Sequence, residues 1–167
     1  MIGVVNYRLI KETEYPLLED FLYHAIFLPP GAEPLSREVI FIPEIFVYIE
    51  NFGGEDDCGV VAEREGKVIG AAWKRIIPAY GHIDDETPEL AISVLPGYRN
   101  MGVGTGLLTR LFWLLREHGY KRTSLSVQKD NPALRLYERA GYRICGDEAD
   151  HADSEDYLMV KDLAESF

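Results

Sequence analysis

A glycine-rich segment between two regular elements is the part of this sequence best suited to chemistry. It runs from Arg99 to Gly106 as RNMGVGTG, after an apolar strand-like run at Leu90 to Leu95 and before an amphipathic helix pattern at Leu107 to His118. Glycines let backbone N–H groups approach an anion closely, and the first turn of a helix adds unpaired donors and the positive end of its dipole. Arg99 adds a full positive charge. The segment suits a phosphate group, although such a junction also serves as a plain structural turn.

Two well-known phosphate-binding loops do not fit this segment. A dinucleotide-binding fold needs an acidic residue roughly 20 positions after its glycines, and here that region contains Lys121, Arg122 and Thr123. A Walker-type loop ends in Gly-Lys-Ser/Thr, whereas this segment ends in Thr105, Gly106 and Leu107. A different kind of phosphate site is therefore indicated.

A second segment, Asn131 to Tyr142, reads NPALRLYERAGY and predicts a short helix from Pro132 to Arg139. Asparagine followed by proline is a typical helix start, because the amide caps the first turn and proline fits the first helical position. Tyr137 has helical spacing with apolar neighbours, which by itself is typical of a core residue.

Together the two segments resemble the GNAT superfamily of N-acetyltransferases. Arg99, Gly102 and Gly104 match the family's Arg/Gln-x-x-Gly-x-Gly/Ala loop, which holds the pyrophosphate of acyl-CoA. The segment from Asn131 matches the family's Asn-x-x-Ala-x-x-x-Tyr-Glu-x-x-Gly-Phe/Tyr signature. The resemblance covers residues 60 to 163 well and the preceding part only by position. Asn100 departs from the glycine that the family often has there.

The resemblance implies a fold, a cosubstrate and a set of binding residues. The implied fold is one α/β domain over residues 1–167, with a mixed, mostly antiparallel central sheet of about seven strands flanked by about four helices. The implied cosubstrate is acetyl-CoA, and no metal ion is expected. The positions that would bind acetyl-CoA are Val94, Leu95, Arg99, Asn100, Met101, Gly102, Val103, Gly104, Thr105, Asn131 and Tyr137.

The strand before the glycines has its own implied role. In GNAT relatives the sheet splays at this strand, so its backbone can pair with the amide groups of the pantetheine arm as an added strand would. By the same resemblance, the backbone of Val94 and Leu95 would face the thioester oxygen. The side chains of Leu90, Ile92 and Val94 are expected in the core.

Two side chains are candidates for proton transfer by the same resemblance. Tyr137 would lie near the sulfur and protonate the departing thiolate; an unperturbed phenol, with a pKa of about 10, is protonated at neutral pH as an acid must be. Glu89 begins the strand that leads to the phosphate loop and would deprotonate the acceptor ammonium, often through water. A charged residue at a strand start is also commonly just solvated, and bulk water can take the same proton.

Acidic residues crowd the turn before the last strand: Asp147, Glu148, Asp150, Asp153, Glu155 and Asp156. Such a run is usually a solvated loop. The functional hypothesis is that it attracts a cationic acceptor, such as an amine-bearing metabolite or a peptide N-terminus. Metal binding there would need clustered ligands of defined geometry, which a sequence does not show.

Composition limits the partners of the chain. Its net charge of −11, from 17 basic and 28 acidic residues, argues against a nucleic-acid partner, because nucleic-acid binders present basic surfaces. That balance also disfavours an acetyltransferase toxin acting on charged tRNA. We expect no membrane partner and a cytoplasmic location, since no leader or long apolar run is visible and Cys58 and Cys145 read as buried thiols of a reducing compartment.

The hydrophobic patterns predict the elements that position these residues. Strands are expected at Val4–Ile10, Cys58–Arg64, Lys67–Ile77, Glu89–Leu95, Thr123–Val127, Tyr142–Gly146 and Asp156–Lys161. Further helices are expected at Glu12–Phe27 and from about Pro43 to Phe52. Glu65 and Gly66 separate two strands as a hairpin turn would.

The resemblance implies an N-acetyltransferase that moves acetyl directly from the thioester to a primary amine of a small molecule, peptide or protein. No cysteine stands beside either segment to carry the acetyl group covalently. The alternative is a catalytically silent acyl-CoA-binding sensor or interaction module. A homodimer is compatible with the apolar first helices and last strands.

Overall fold

The computed structural model describes residues 3–146 and 148–165. The strands are β1 Asn6–Leu9, β2 Cys58–Arg64, β3 Lys67–Arg75, β4 Glu89–Val94, β5 Arg122–Gln128, β6 Arg143–Ile144 and β7 Asp156–Asp162. They form one sheet in the order β1-β2-β3-β4-β5-β7-β6. Every neighbouring pair is antiparallel except β4 and β5, which are parallel.

Within the described residues, four α-helices flank the sheet: α1 Leu18–Ala25, α2 Pro43–Phe46, α3 Val103–Glu117 and α4 Ala133–Arg139. Short 3₁₀ turns lie at Glu12–Leu17, Arg37–Phe41, Pro96–Tyr98 and Glu148–His151. The predicted mixed α/β fold with a mostly antiparallel seven-stranded sheet and four helices is confirmed.

The sheet has an apolar cluster on each face, because successive side chains of a strand point to opposite sides. On one face Val60, Ala72 and Leu90 pack with the buried stripe of α3. On the other face Val61, Ala71 and Trp73 pack with α1 and with Ile40 and Ile49 from the segment that contains α2. Both faces of the central strands are therefore covered.

Two predicted helices are shorter than their apolar patterns indicated. The segment Glu12–Phe27 begins as a 3₁₀ turn with Pro16 inside it and becomes α-helical only from Leu18 to Ala25. Proline has no N–H to donate to the helix and crowds the preceding turn. The helix expected from Pro43 to Phe52 is α-helical only to Phe46 and continues as turns.

Strand predictions differ from the structure mainly at their ends. β2 has the predicted bounds, and the hairpin is confirmed by positive φ angles of 51° at Glu65 and 79° at Gly66, as a two-residue hairpin turn requires. The strand expected at Tyr142–Gly146 is paired only at Arg143–Ile144.

Helix α3 begins at Val103, earlier than its apolar pattern suggested, because Val103 to Gly106 add a first turn that is rich in glycine.

Two other expectations concern the cysteines and membrane-spanning helices. Cys58 and Cys145 are free thiols, but both are only partly buried, which corrects the expectation that they lie in the core. Among the described residues, no helix is long and apolar enough to cross a membrane.

Gly106 fixes how closely α3 approaches β1, which leads to a stability prediction. A Cβ atom at this position would lie 2.1 Å from Cζ of the Tyr7 ring. Because that overlap is severe and the ring is rigid, Gly106→Ala should lower the free energy of unfolding by about 1–3 kcal/mol, measured by urea denaturation.

The matched control repeats the substitution in a Tyr7→Ala background. There the overlap is gone, and alanine should stabilise the helix interior by about 0.5–1 kcal/mol relative to glycine. A gain of stability from Gly106→Ala in the otherwise unchanged protein would contradict the packing described here.

Candidate active site

The site begins where β4 and β5 separate. The two strands pair at one position only, Glu89 with Ser124, and the N–H of Ser124 donates to the carbonyl of Pro88 at 3.0 Å. Beyond that pair they diverge, so the later residues of β4 have no strand on this side. Backbone groups that point into the resulting gap have no ladder partner.

The direction of the backbone hydrogen bonds of β4 shows which residues turn their N–H and C=O groups towards this gap. The N–H of Leu95 donates to the carbonyl of Ile69 on the β3 side at 2.9 Å. Since the backbone groups of an antiparallel strand point to alternate sides, those of Ile92 and Val94 point towards β5 and into the gap. The carbonyl of Val94 also accepts from Nε of Arg99 at 2.9 Å.

This geometry bears on one predicted binding residue. Leu95 was expected to present its backbone to the thioester, but its N–H is bonded to Ile69 and its carbonyl accepts from the N–H of Tyr98 at 2.9 Å. Ile92, which the sequence analysis assigned only to the core, presents its backbone to the gap instead. The spacing of two from Val94 is the signal that would have identified it.

The glycine-rich segment turns directly from β4 into α3. Asn100 and Gly102 both have left-handed backbone conformations, with φ of 61° and 84°; asparagine and glycine are the residue types that adopt this region most readily. Gly102 is the N-cap, and no side chain caps the helix. The first helical bond runs from the N–H of Gly106 to the carbonyl of Gly102 at 3.1 Å. The earlier N–H groups of the turn are thus left as donors.

These donors open onto a cavity of about 1000 Å³. Its walls are the end of α1 with the chain that follows it, the later part of β4, the first turn of α3, and α4. Of the predicted binding residues, the structure places the following in the lining: Val94, Arg99, Asn100, Gly102, Val103, Gly104, Thr105, Asn131 and Tyr137. Met101 is 51% exposed, and neither it nor Leu95 is among the lining residues.

The charge of this cavity is opposite to that of the protein. Arg99, Arg135 and Arg139 line it, and no aspartate or glutamate is among the described residues of its walls. Three guanidinium groups around open helix N–H donors form a site for an anion, in a chain whose net charge is −11. Sequence reasoning missed Arg135 and Arg139; their spacing of four residues, which places both on one face of a helix, was the available signal.

The Arg99 side chain also links two elements through hydrogen bonds to their backbone carbonyls. Its Nε donates to the carbonyl of Val94, and one terminal nitrogen donates to the carbonyl of His24 at 3.0 Å. Arg99 therefore joins the end of α1 to the end of β4 beside the glycine-rich segment, in addition to bringing charge to the cavity. His24 is itself a lining residue, and burial lowers its pKa, which favours the neutral imidazole.

Tyr137 lies in the wall that α4 contributes. Only 8% of the residue is exposed, and its ring meets that of Tyr142 edge-on at 5.9 Å between centroids. Burial raises the pKa of the Tyr137 phenol above its ordinary value, so the hydroxyl keeps its proton throughout the neutral range. Tyr137 is therefore both a core residue and a cavity residue.

Asn131 was expected to be the N-cap of a helix that begins at Pro132; in the structure α4 begins at Ala133 with Pro132 as its N-cap, and Asn131 still bonds to the first turn. Its side-chain oxygen accepts from the N–H of Ala133 at 2.9 Å, and its amide nitrogen lies 3.3 Å from the side-chain oxygen of Gln128. These bonds orient Asn131 at the cavity wall.

Glu89 lies at the other end of β4 and is not among the residues that line the cavity. It is 3% exposed. One carboxylate oxygen, Oε2, accepts from the Tyr48 hydroxyl and from the N–H of Gly81 at 3.0 Å, while Oε1 is buried without a partner. Burial raises the pKa of Glu89 to about 7 against the lowering effect of the Tyr48 hydrogen bond. Glu89 is thus not simply solvated, and it titrates where a general base is useful.

The acidic segment lies apart from the cavity. Asp147 falls outside the described residues, and none of the described acids of this segment lines the cavity. Asp156 begins β7 and is part-buried beside Ser126, whose hydroxyl lies 3.4 Å from the Asp156 carboxylate. No group of three potential metal ligands occurs within residues 3–146 and 148–165.

Comparison with known proteins agrees with this geometry. The acetyltransferase (GNAT) family model matches residues 21–142. The chain is 30% identical to an N-alpha-acetyltransferase of Sulfurisphaera tokodaii over 73% of this chain and 81% of that protein. It is 28% identical to the ribosomal protein bS18-alanine N-acetyltransferase of Haemophilus influenzae over 65% of this chain and 70% of that protein.

Solved structures share the fold at lower sequence identity. The ribosomal-protein-S18-alanine N-acetyltransferase of Escherichia coli superposes with a TM-score of 0.65 at 19% identity, covering 98% of this chain and 97% of that one. The PaiA N-acetyltransferase of Thermoplasma acidophilum, crystallised with coenzyme A, gives 0.65 at 16% identity, covering 95% and 99%. The matched domain, the relatives and the splayed sheet with its glycine turn lead to one conclusion: this chain belongs to the GNAT family of acetyltransferases.

Proposed function

We propose that this protein uses acetyl-CoA to acetylate a primary amine in a ternary complex, and that the acceptor is the α-amino group of a peptide or protein. The observation that carries the proposal is the cavity at the uncapped start of α3, whose charged walls are arginine in a chain of net charge −11. Acetyl-CoA supplies the acetyl group as an activated thioester.

The described residues fit the parts of acetyl-CoA. The N–H groups of Gly102 to Thr105 suit the diphosphate, and the guanidinium groups of Arg135 and Arg139 suit the remaining phosphate charge. The backbone of Ile92 and Val94 offers the pairing groups that an extended amide chain needs. Arg99 holds this arrangement together through its bonds to Val94 and His24.

Tyr137 is proposed as the acid of the reaction. The amine nitrogen forms a bond to the acetyl carbon, the bond from that carbon to sulfur breaks, and the Tyr137 hydroxyl gives its proton to the departing thiolate. Glu89 is proposed as the group that takes a proton from the acceptor ammonium. As the amide forms, the nitrogen loses a second proton, which returns to the Tyr137 phenolate, so the net products are the acetylated amine, the CoA thiol and one proton on Glu89.

The acceptor class rests on the relatives. The archaeal relative at 30% identity is named an N-alpha-acetyltransferase, and the bacterial relative at 28% identity is named for the alanine of a ribosomal protein. The first name specifies an α-amino group, and the second specifies an alanine of a protein.

The direct test incubates the protein with acetyl-CoA and three acceptors. These are peptides with a free N-terminus, the same peptides with a blocked N-terminus and one internal lysine, and spermidine. We expect one acetyl group on the free N-terminus, located by mass spectrometry. Tight CoA binding with no acetylation of any amine would favour the silent sensor, and acetylation of spermidine or lysine alone would overturn the acceptor class.

Charge reversal at the cavity wall tests the binding part of the proposal. Arg135→Glu and Arg139→Glu should each weaken CoA binding about tenfold by calorimetry, because each removes one favourable charge and adds a repulsive one. The loss should shrink as salt is added. Arg110→Glu is the matched control, since Arg110 lies over Trp113 on α3 and is not a lining residue. Equal losses in all three variants would contradict a local phosphate site.

Removal of the phenol tests the acid. Tyr137→Phe should lower kcat by about 100-fold, a typical contribution of general acid catalysis, while the dissociation constant of CoA stays within about twofold. Tyr142→Phe is the control, because its neighbouring ring lies in the core and its hydroxyl is buried. A kcat for Tyr137→Phe equal to that of the control would remove Tyr137 from the proposed role.

A further inference from the structure

An exposed apolar surface adjoins the cavity on its α1 side. In the described part of the chain, ten large apolar side chains are exposed, and four of them lie between residues 28 and 42: Leu28, Leu35, Phe41 and Ile42. Leu28 and Leu35 line the cavity, and a single 3₁₀ turn leads from there to Phe41. Apolar side chains gathered on a surface beside polar residues mark an interaction site. This surface is continuous with the candidate active site.

The surface is held in shape by the residues beneath and within it. The Tyr23 hydroxyl on α1 donates to the carbonyl of Leu35 at 2.5 Å, and Ile40, next to Phe41, is buried in the cluster that covers the sheet. Proline rings lock φ, and four prolines occur in the segment: Pro29, Pro30, Pro34 and Pro43. A surface fixed in this way loses little conformational entropy when a partner binds.

The free charges of the same segment are negative. They belong to three exposed residues, Glu33, Glu38 and Glu44, none of which forms an ion pair with a described residue. Arg37 is the only basic residue between positions 28 and 46. It is bound to Asp20 on α1, and its guanidinium lies 4.2 Å from the centroid of the Tyr23 ring. The surface therefore keeps the charge of three carboxylates.

These two properties together specify what the surface binds. Carboxylates beside an apolar surface attract cationic groups and repel anions, which disfavours nucleic acid and also a second copy of this chain, whose net charge is −11. The exposed apolar side chains need apolar groups opposite them to leave water. A polyamine meets the first requirement but has no large apolar side chain for the second. A polypeptide with both cationic and apolar side chains meets both.

We propose that this surface docks the residues that follow the N-terminus of a basic acceptor protein, whose N-terminal amine enters the cavity past Leu28 and Leu35. The inference rests on the proposed function and deepens it, because it names the class of acceptor: a protein whose N-terminal segment is both cationic and apolar. The surface contributes binding, and the acetyl transfer takes place inside the cavity.

The first test compares acceptor peptides that share their first three residues and differ in the next six. Those six alternate Lys with Leu, Lys with Ser, Ser with Leu, or Glu with Leu. We expect the Lys/Leu peptide to have a KM about tenfold below that of the Ser/Leu peptide, through several weak ion pairs, with kcat within about twofold. The Glu/Leu peptide should have the highest KM. These charge effects should shrink at about 0.5 M salt.

Charge reversal tests where the basic residues bind. Glu38→Lys and Glu44→Lys should each raise the KM of the Lys/Leu peptide about fivefold at low salt, and neither should change the KM of the Ser/Leu peptide or the affinity for CoA. Glu117→Lys is the matched control, since it makes the same charge change at an exposed position at the end of α3. An equal rise in the control would show that net charge alone acts, and would overturn the inference.

Removal of an exposed ring tests the apolar part. Phe41→Ser should raise the KM of the Lys/Leu peptide about tenfold, because apolar burial is lost, and this rise should persist in high salt. The Lys/Ser peptide should respond much less. Trp113→Ser is the control, because Trp113 is an exposed aromatic residue on α3 and should leave every KM unchanged. A rise that is equal in Phe41→Ser and in the control would contradict docking at this surface.

The outcomes separate this inference from the function on which it rests. If wild-type protein acetylates no peptide, the proposed function fails. If it acetylates all four peptides with the same KM, only the docking surface fails. If spermidine is acetylated and its KM rises in Glu38→Lys but not in Phe41→Ser, the surface binds a small polycation and the inference is wrong.

One measurement needs no variant. The Lys/Leu peptide with a blocked N-terminus, added to wild-type protein, should shift the methyl NMR signals of Leu35 and Ile42. The methyl signals of Leu9, which is exposed on β1, should stay in place. Unshifted signals at Leu35 and Ile42 with saturating peptide would contradict the proposed surface.

Discussion

The separation of β4 from β5 after a single paired position is the constraint on which the rest of the site depends. A strand inside a sheet normally has partners on both sides, and buried backbone groups left without one cost about 1–3 kcal/mol each. Here the backbone of Ile92 and Val94 faces a gap. The gap opens beside the unpaired N–H groups that begin α3, so two sets of unsatisfied backbone donors meet in one cavity.

Charge then determines what the cavity binds. The protein as a whole repels anions, with 28 acidic residues against 17 basic ones, yet the described charged residues of the cavity wall are arginines, with one histidine beside them. The opposite end of β4 has the contrasting character: a buried carboxylate held by a phenol and a backbone N–H. One strand thus joins an arginine-lined cavity at one end to a buried carboxylate at the other.

Much of this arrangement was predictable from the sequence, and the remainder has clear physical reasons. The glycine-rich segment, the bond between Asn131 and the first turn of α4 and the bounds of β2 follow from local rules, since each depends on neighbours in the chain. Ile92 rather than Leu95 presents its backbone to the gap because the hydrogen-bonding groups of β4 point to alternate sides. A shift of one residue along the strand reverses the side. The burial of Glu89 depended on Tyr48, which lies 41 residues away in the chain, and no periodicity relates those two positions. Pro16 limited the first helix even though the apolar pattern continued through it.

Hydrogen exchange of individual backbone amides, with and without saturating CoA, tests the central claim most directly. The account predicts slower exchange at Val103, Gly104 and Thr105, which begin α3, and at Ile92 and Val94, which face the gap, with little change at Leu95, whose N–H is already bonded to Ile69. Protection confined to other parts of the protein, with these amides unchanged, would contradict it.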